Sequence, residues 1–107
     1  MDIYSTKPRI EINKDEFQYL IKGKEIIISP HVIWHLSNQQ RKVFNVNELI
    51  NILLKETPRK VYLQENGRYA AYYRKSDGYR KIIIEMRNDK AIVVTFIDTS
   101  EIPRYNL

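Results

Sequence analysis

Between Gly67 and Lys81 the chain reads GRYAAYYRKSDGYRK, with four tyrosines and five basic residues against one aspartate. Guanidinium and ammonium groups neutralise phosphates, and tyrosine rings stack on unpaired bases, so this mixture suits a polyanion. The same residue types also guard a solvated sheet edge against pairing with another chain. A second polar set lies upstream, where His31, His35, Asn38 and Lys42 follow i, i+4, i+7, i+11 and would share one helical face. Histidine titrates near neutrality and can serve as acid or base, although a place in the first helical turn disfavours protonation of His31. A histidine pair four apart can also hold zinc, but no third ligand stands at a telling spacing, and no metal or other cofactor is expected.

The net charge of +5 is unevenly distributed. Residues 1–58 carry 8 basic and 7 acidic side chains, and residues 82–107 carry 3 and 4. Residues 59–81 carry 7 basic side chains against 2 acidic ones, with five of the eight tyrosines. A localised basic excess is the footprint of a polyanion binder.

At 107 residues, 43% hydrophobic and 29% charged, the chain is expected to fold as a single domain over its whole length. No apolar run approaches the roughly 18 residues of a membrane span, and MDIYSTKPRIEI lacks the apolar core of a secretory signal. Cysteine is absent, which excludes disulfides and thiolate metal sites, and the expected location is the cytoplasm.

The elements that must position these residues are α+β in order. PRIEI alternates, and FQYLI–KG–KEIIIS reads either as two extended runs about a glycine or, with NKDEF as a cap, as a short helix at 14–20. Ser29 and Pro30 suit the start of a helix bearing Val32, Ile33, Leu36 and Val43 on its apolar face. Trp34 is expected in the core or at the seam between helix and sheet. A second helix, capped by Asn45 or Asn47 and stopped before Pro58, buries Val46, Leu49, Ile50, Leu53 and Leu54. Four strands then form an antiparallel meander packed against the helices, turning at Asn66-Gly67, Asp77-Gly78 and Asn88-Asp89.

Two-residue turns at the first two points set Tyr62 opposite Ala71 and Tyr73 opposite Ile82; at the third they set Ile82 opposite Thr95. One face then carries Val61, Leu63, Ala70, Tyr72, Ile83, Ile92, Val94 and Phe96 and is the expected core. The other carries Lys60, Tyr62, Gln64, Tyr69, Tyr73, Arg80 and Thr95 among Ile82, Ile84 and Val93, and is the expected stacking platform. A three-residue loop at the third turn would send Thr95 to the opposite face.

In element order and scattered polar positions, SPHVIWH (29–35), NELINILLKETPRKVY (47–62), RYAAYYRK (68–75), YRKIIIE (79–85) and AIVVTF (91–96) resemble the barnase/colicin/RelE-like superfamily of small metal-independent ribonuclease toxins. The resemblance covers residues 29–97, and residues 1–28 form an extension without a counterpart. It implies a catalytic set drawn from His31 or His35, Arg80 or Lys81, and Thr95. In RelE-like members reliance on Arg, Lys and Tyr would shift weight to Tyr69, Tyr73 and Arg74.

The expected function is metal-independent endoribonucleolytic cleavage by 2′-OH transesterification, with Lys42, Tyr62, Tyr69, Tyr73, Arg74 and Lys81 holding RNA. An acidic antitoxin or inhibitor protein is the expected partner. Two alternatives use the same surface: a non-catalytic nucleic-acid-binding domain, and a protein-interaction domain dimerising through its Tyr/Arg sheet face.

Overall fold

The structure, a computed structural model, describes residues 5–34, 36–38 and 45–107. The elements follow the order β1 (Pro8–Ile12), α1 (Lys14–Lys22), β2 (Glu25–Ile28), α2 (Pro30–Trp34), α3 (Val46–Lys55), β3 (Lys60–Gln64), β4 (Tyr69–Lys75), β5 (Gly78–Arg87) and β6 (Lys90–Thr99). The fold is α+β, but its sheet is six-stranded and mixed rather than the four-stranded meander expected. The strand order is β1-β3-β4-β5-β6-β2, with β2 parallel to β6 and every other pair antiparallel. The N-terminal strands thus close both edges of the sheet. None of the described helices is long and apolar enough to cross a membrane.

Local chemistry explains the helices. At the start of α1 the Asn13 side chain accepts from the backbone N–H groups of Asp15 and Glu16 at 2.9 and 3.0 Å. This cap, with two acids in the first turn, favours helix over the extended alternative. Phe17 and Ile21, one turn apart, are then buried together. Asn45 caps α3 in the same way, accepting from Asn47 and Glu48, and Leu49 and Leu53 point into the core. Gln18 joins the two helices, its Nε2 donating to the carbonyls of Leu53 and Leu54 at 3.1 Å each.

Helix α2 is shorter than the expected polar stripe requires. It spans Pro30–Trp34, and Leu36 and Ser37 lie outside it. The stripe therefore does not continue along one helix. Trp34 is 66% exposed, so it belongs neither to the core nor to a seam.

The three helices described above cover the sheet face opposite to the one expected. Phe17, Ile21, Val32, Leu49 and Leu53 pack with Val61, Ala71, Tyr73, Ile82, Ile84, Ala91 and Val93. The second face carries a smaller cluster of Tyr62, Ala70, Tyr72 and Ile83, covered in part by Ile102 of the C-terminal segment. Two details of register change which residues of β3 and β6 join each face, and a third leaves the faces unchanged.

The β3–β4 connection has three residues, not two: Gln64 N–H donates to the Arg68 carbonyl at 2.8 Å, and Tyr62 lies opposite Ala70. One extra residue moves Lys60, Tyr62 and Gln64 away from the face of Tyr69 and Tyr73. The β4–β5 turn is Ser76-Asp77, since Lys75 pairs with Gly78, and Tyr73 lies opposite Arg80 rather than Ile82. That slip of two keeps the faces unchanged.

Asn88-Asp89 does form the expected two-residue turn, between Arg87 and Lys90, with Asn88 at φ 52°. A bulge follows between Ile83 and Ile84, and it sets Thr95 opposite Ile83 instead of Ile82.

The covered face can be checked by mutation. Ile82→Ala, at 0% exposure, should cost about 2–5 kcal/mol in urea unfolding. Ile97→Ala, 56% exposed on the other face, should cost less than about 1 kcal/mol. The reverse ranking would put the helices on the wrong side of the sheet.

Candidate functional site

A cleft of about 560 Å³ opens between α3 and the end of the β4–β5 hairpin. Helix α3 contributes Asn47, Glu48, Asn51, Ile52 and Lys55, flanked by Asn45 and Glu56, and the hairpin contributes Tyr73, Arg74, Lys75 and Arg80. Asn47, Asn51 and Lys55 recur every four residues, as do Glu48, Ile52 and Glu56, so one helical face looks into the cleft. Four cations and two carboxylates line it, and the neighbouring carboxylates of Asp98 and Asp77, both paired with Lys75, bring the two signs level.

The two cations at the mouth share the carboxylate of Asp98. Arg80 lies opposite Asp98 on β6, and its Nε donates to Oδ1 at 2.9 Å while Nη2 reaches Oδ2 at 3.5 Å. Lys75 Nζ donates to the same Oδ2 at 2.9 Å and stands 3.4 Å from Asp77. The guanidinium also lies 5.0 Å from the centroid of the Phe96 ring. The hydrogen bond from Arg80, and then that from Lys75, holds the Asp98 carboxyl below its ordinary value of 3.8. Hydrogen bonding to Asp98 correspondingly raises Lys75.

Tyr73 forms part of the lining, 1% exposed. Burial pushes its hydroxyl well above the usual tyrosine range, and the negative charge of Glu56 adds to the effect. The group is therefore a protonated hydrogen-bond donor at neutral pH and not a base. Arg74 is exposed, with its guanidinium 5.1 Å from the Tyr79 ring centroid and Nη1 reaching the Gly78 carbonyl at 3.5 Å.

Of the residues singled out from the sequence, Tyr73, Arg74 and Arg80 converge on this cleft. Tyr69 shares the sheet face of Tyr73 and Arg80 but is half-buried against Phe17, with ring centroids 5.5 Å apart. Tyr62 lies on the opposite face, 4% exposed, edge-on to Tyr72 and Tyr105 at 6.2 and 5.1 Å. Its ring is packed, as is that of Tyr73, so neither presents a free face for stacking.

Lys81 is also on that opposite face, 5.7 Å from the Tyr72 ring centroid, where burial lowers its affinity for the proton. Thr95, opposite Ile83, is separated by the sheet from Arg80, which pairs with Asp98 on the helix-covered face. Thr95 and Arg80 therefore do not form one catalytic set.

His31 is exposed on α2, edge-on to Trp34 at 5.1 Å, and does not line the cleft. His35 and Lys42 lie outside the described residues. Sequence inspection passed over Lys75, Lys55, Asp98 and the asparagines of α3. The polar repeat Asn47–Asn51–Lys55 was the available signal.

Comparison of the chain with protein-family models, with curated proteins and with solved structures finds no match. The functional assignment therefore rests on this geometry.

The link between Asp98 and the two cations has a pH signature. Because its folded-state pKa is depressed, Asp98 adds stability above the unfolded carboxylate pKa and loses it as pH falls through the folded value. Its side chain is 46% exposed, so Asp98→Asn should destabilise by less than about 1 kcal/mol at pH 7. The gap between wild type and variant should narrow below pH 3.8 and close under the folded pKa. Urea unfolding at a series of pH values tests this, and a gap that persists at acid pH would contradict the assignment.

Proposed function

We propose that the protein is an RNA-binding domain that takes the phosphates of a single strand into the cleft between α3 and the β4–β5 hairpin. The observation that carries this reading is the convergence of Lys75 and Arg80 on Asp98 at the mouth of a cleft lined by four cations. Fixing both side chains before the ligand arrives lowers the ordering cost of phosphate binding. The planar guanidinium matches two phosphate oxygens, and the amides of α3 supply donors and acceptors beside it. An acidic antitoxin or inhibitor would compete for the same cations with its carboxylates.

Cleavage at this cleft is the second reading, favoured by Glu48 and Glu56 lining it together with Lys75 and Arg80. In transesterification the RNA 2′-OH attacks the adjacent phosphorus, the P–O5′ bond breaks and a 2′,3′-cyclic phosphate forms. A carboxylate would accept the 2′-OH proton, the cations would stabilise the phosphorane, and a protonated group would give a proton to the departing 5′-oxygen. This Arg/Lys/carboxylate arrangement dispenses with His31 and Thr95.

Binding of a fluorescent single-stranded RNA in EDTA, measured across a salt series, tests the proposal. Affinity should fall linearly with salt on logarithmic axes. Lys75→Ala should weaken binding by about fivefold or more and flatten the slope by about one phosphate contact, whereas Ile97→Ala should change neither. Salt-insensitive binding, or indifference to Lys75→Ala, would sink the assignment. RNA fragments ending in cyclic phosphate would extend it from binding to catalysis.

A further inference from the structure

The Tyr73 hydroxyl has no hydrogen-bond partner among the described residues, although the side chain is 1% exposed. An unpaired buried hydroxyl is costly, and phenylalanine would fill the same space without that cost. The residue nevertheless lines the cleft, as do the apolar side chain of Ile52, the amide of Asn51, Lys75 and Arg80. Glu56, whose charge is felt at the hydroxyl, lines the same cleft. The volume of about 560 Å³ falls in the range of small-ligand sites, roughly 300–1,000 Å³. The site therefore combines an anion-holding mouth, an apolar wall, an amide able to donate and accept, and one unspent donor.

We propose that the cleft is a recognition subsite for a single nucleotide unit, its phosphate on Lys75 and Arg80 and an acceptor atom of its base on the Tyr73 hydroxyl. This deepens the RNA-binding reading and rests on it: the cations give affinity for any strand, and Tyr73 gives preference for one base. Asn51 distinguishes bases by the donor–acceptor pattern on their edges, as amide side chains do elsewhere. The chemistry suits a base carrying an exposed carbonyl oxygen or ring nitrogen opposite the phenol.

The test titrates wild type, Tyr73→Phe and Lys75→Ala with each of the four ribonucleoside 3′-monophosphates and with inorganic phosphate, following amide shifts by NMR. One nucleotide should bind about tenfold more tightly than inorganic phosphate and than the weakest of the other three. Tyr73→Phe keeps the ring and should reduce that preference to about threefold or less. Lys75→Ala should weaken all five ligands together.

A preference unchanged in Tyr73→Phe overturns the subsite, as does inorganic phosphate binding as tightly as every nucleotide. RNA binding that depends on Lys75 with no mononucleotide bound also overturns it, and leaves the RNA-binding reading standing. Absence of RNA binding by wild type at low salt removes both.

Discussion

Strand β4 is buried on both sides, and the rest of the molecule is arranged around that requirement. Its four central residues, Ala70, Ala71, Tyr72 and Tyr73, are exposed by 3%, 0%, 1% and 1%. Flanked by β3 and β5, the strand pairs along both edges, so its backbone groups are satisfied within the sheet. Ala71 and Tyr73 face the three helices, and Ala70 and Tyr72 face the other way. A single helical layer cannot cover both. The chain beyond β6 contributes Ile102 and Tyr105 to the second face, where Tyr105 meets Tyr62 edge-on. Tyr72 and Tyr73 are thus structural first, and of these two Tyr73 lines the cleft.

The basic excess is divided by the same sheet. Lys60 pairs with Glu11 at 3.1 Å, Arg68 with Glu85 at 3.5 Å, and Lys75 and Arg80 share Asp98. Exposed pairs of this kind contribute on the order of 0–1 kcal/mol, so they orient side chains more than they stabilise the fold. Lys81, next to Arg80 in sequence, projects to the opposite face and lays its ammonium over Tyr72. A charge run that is contiguous in sequence is consequently two surfaces in space. Its hairpin-end portion, joined by Lys55 from α3, borders the cleft of about 560 Å³, while Arg59 and Lys60 line smaller clefts elsewhere.

What could be read from the sequence was local chemistry. The asparagine cap of α3, the alternation of the C-terminal strands and the turn at Asn88-Asp89 all depend on residues within a few positions of one another. What escaped depended on counting across strands. One extra residue before Arg68 inverted β3 against β4, and one bulged residue inverted Thr95 against Arg80. Apolar patterning gave no protection, because a strand buried on both sides carries apolar residues on both and loses the contrast that fixes its register. The parallel pairing of β2 with β6 joins residues more than sixty positions apart, and no turn signal announces it. For α2, the cap at Ser29 marked a beginning, while nothing comparable marked the end at Trp34.

The same hairpin end shows how backbone chemistry places charge. Gly78 sits at φ 149°, and a Cβ there would stand 2.5 Å from the Thr99 carbonyl oxygen. Without a side chain, the start of β5 lies against the end of β6, and pairing extends to Tyr79 and Thr99. That extension is what sets Asp98 opposite Arg80, one residue further in. The tight Ser76-Asp77 turn holds Lys75 beside Gly78, close enough to reach the same carboxylate across β5. Two cations from neighbouring strands are then held by one acid from a third, and the asparagine-rich face of α3 closes over them. The electrostatics of the cleft therefore originate in a close backbone contact that only glycine permits.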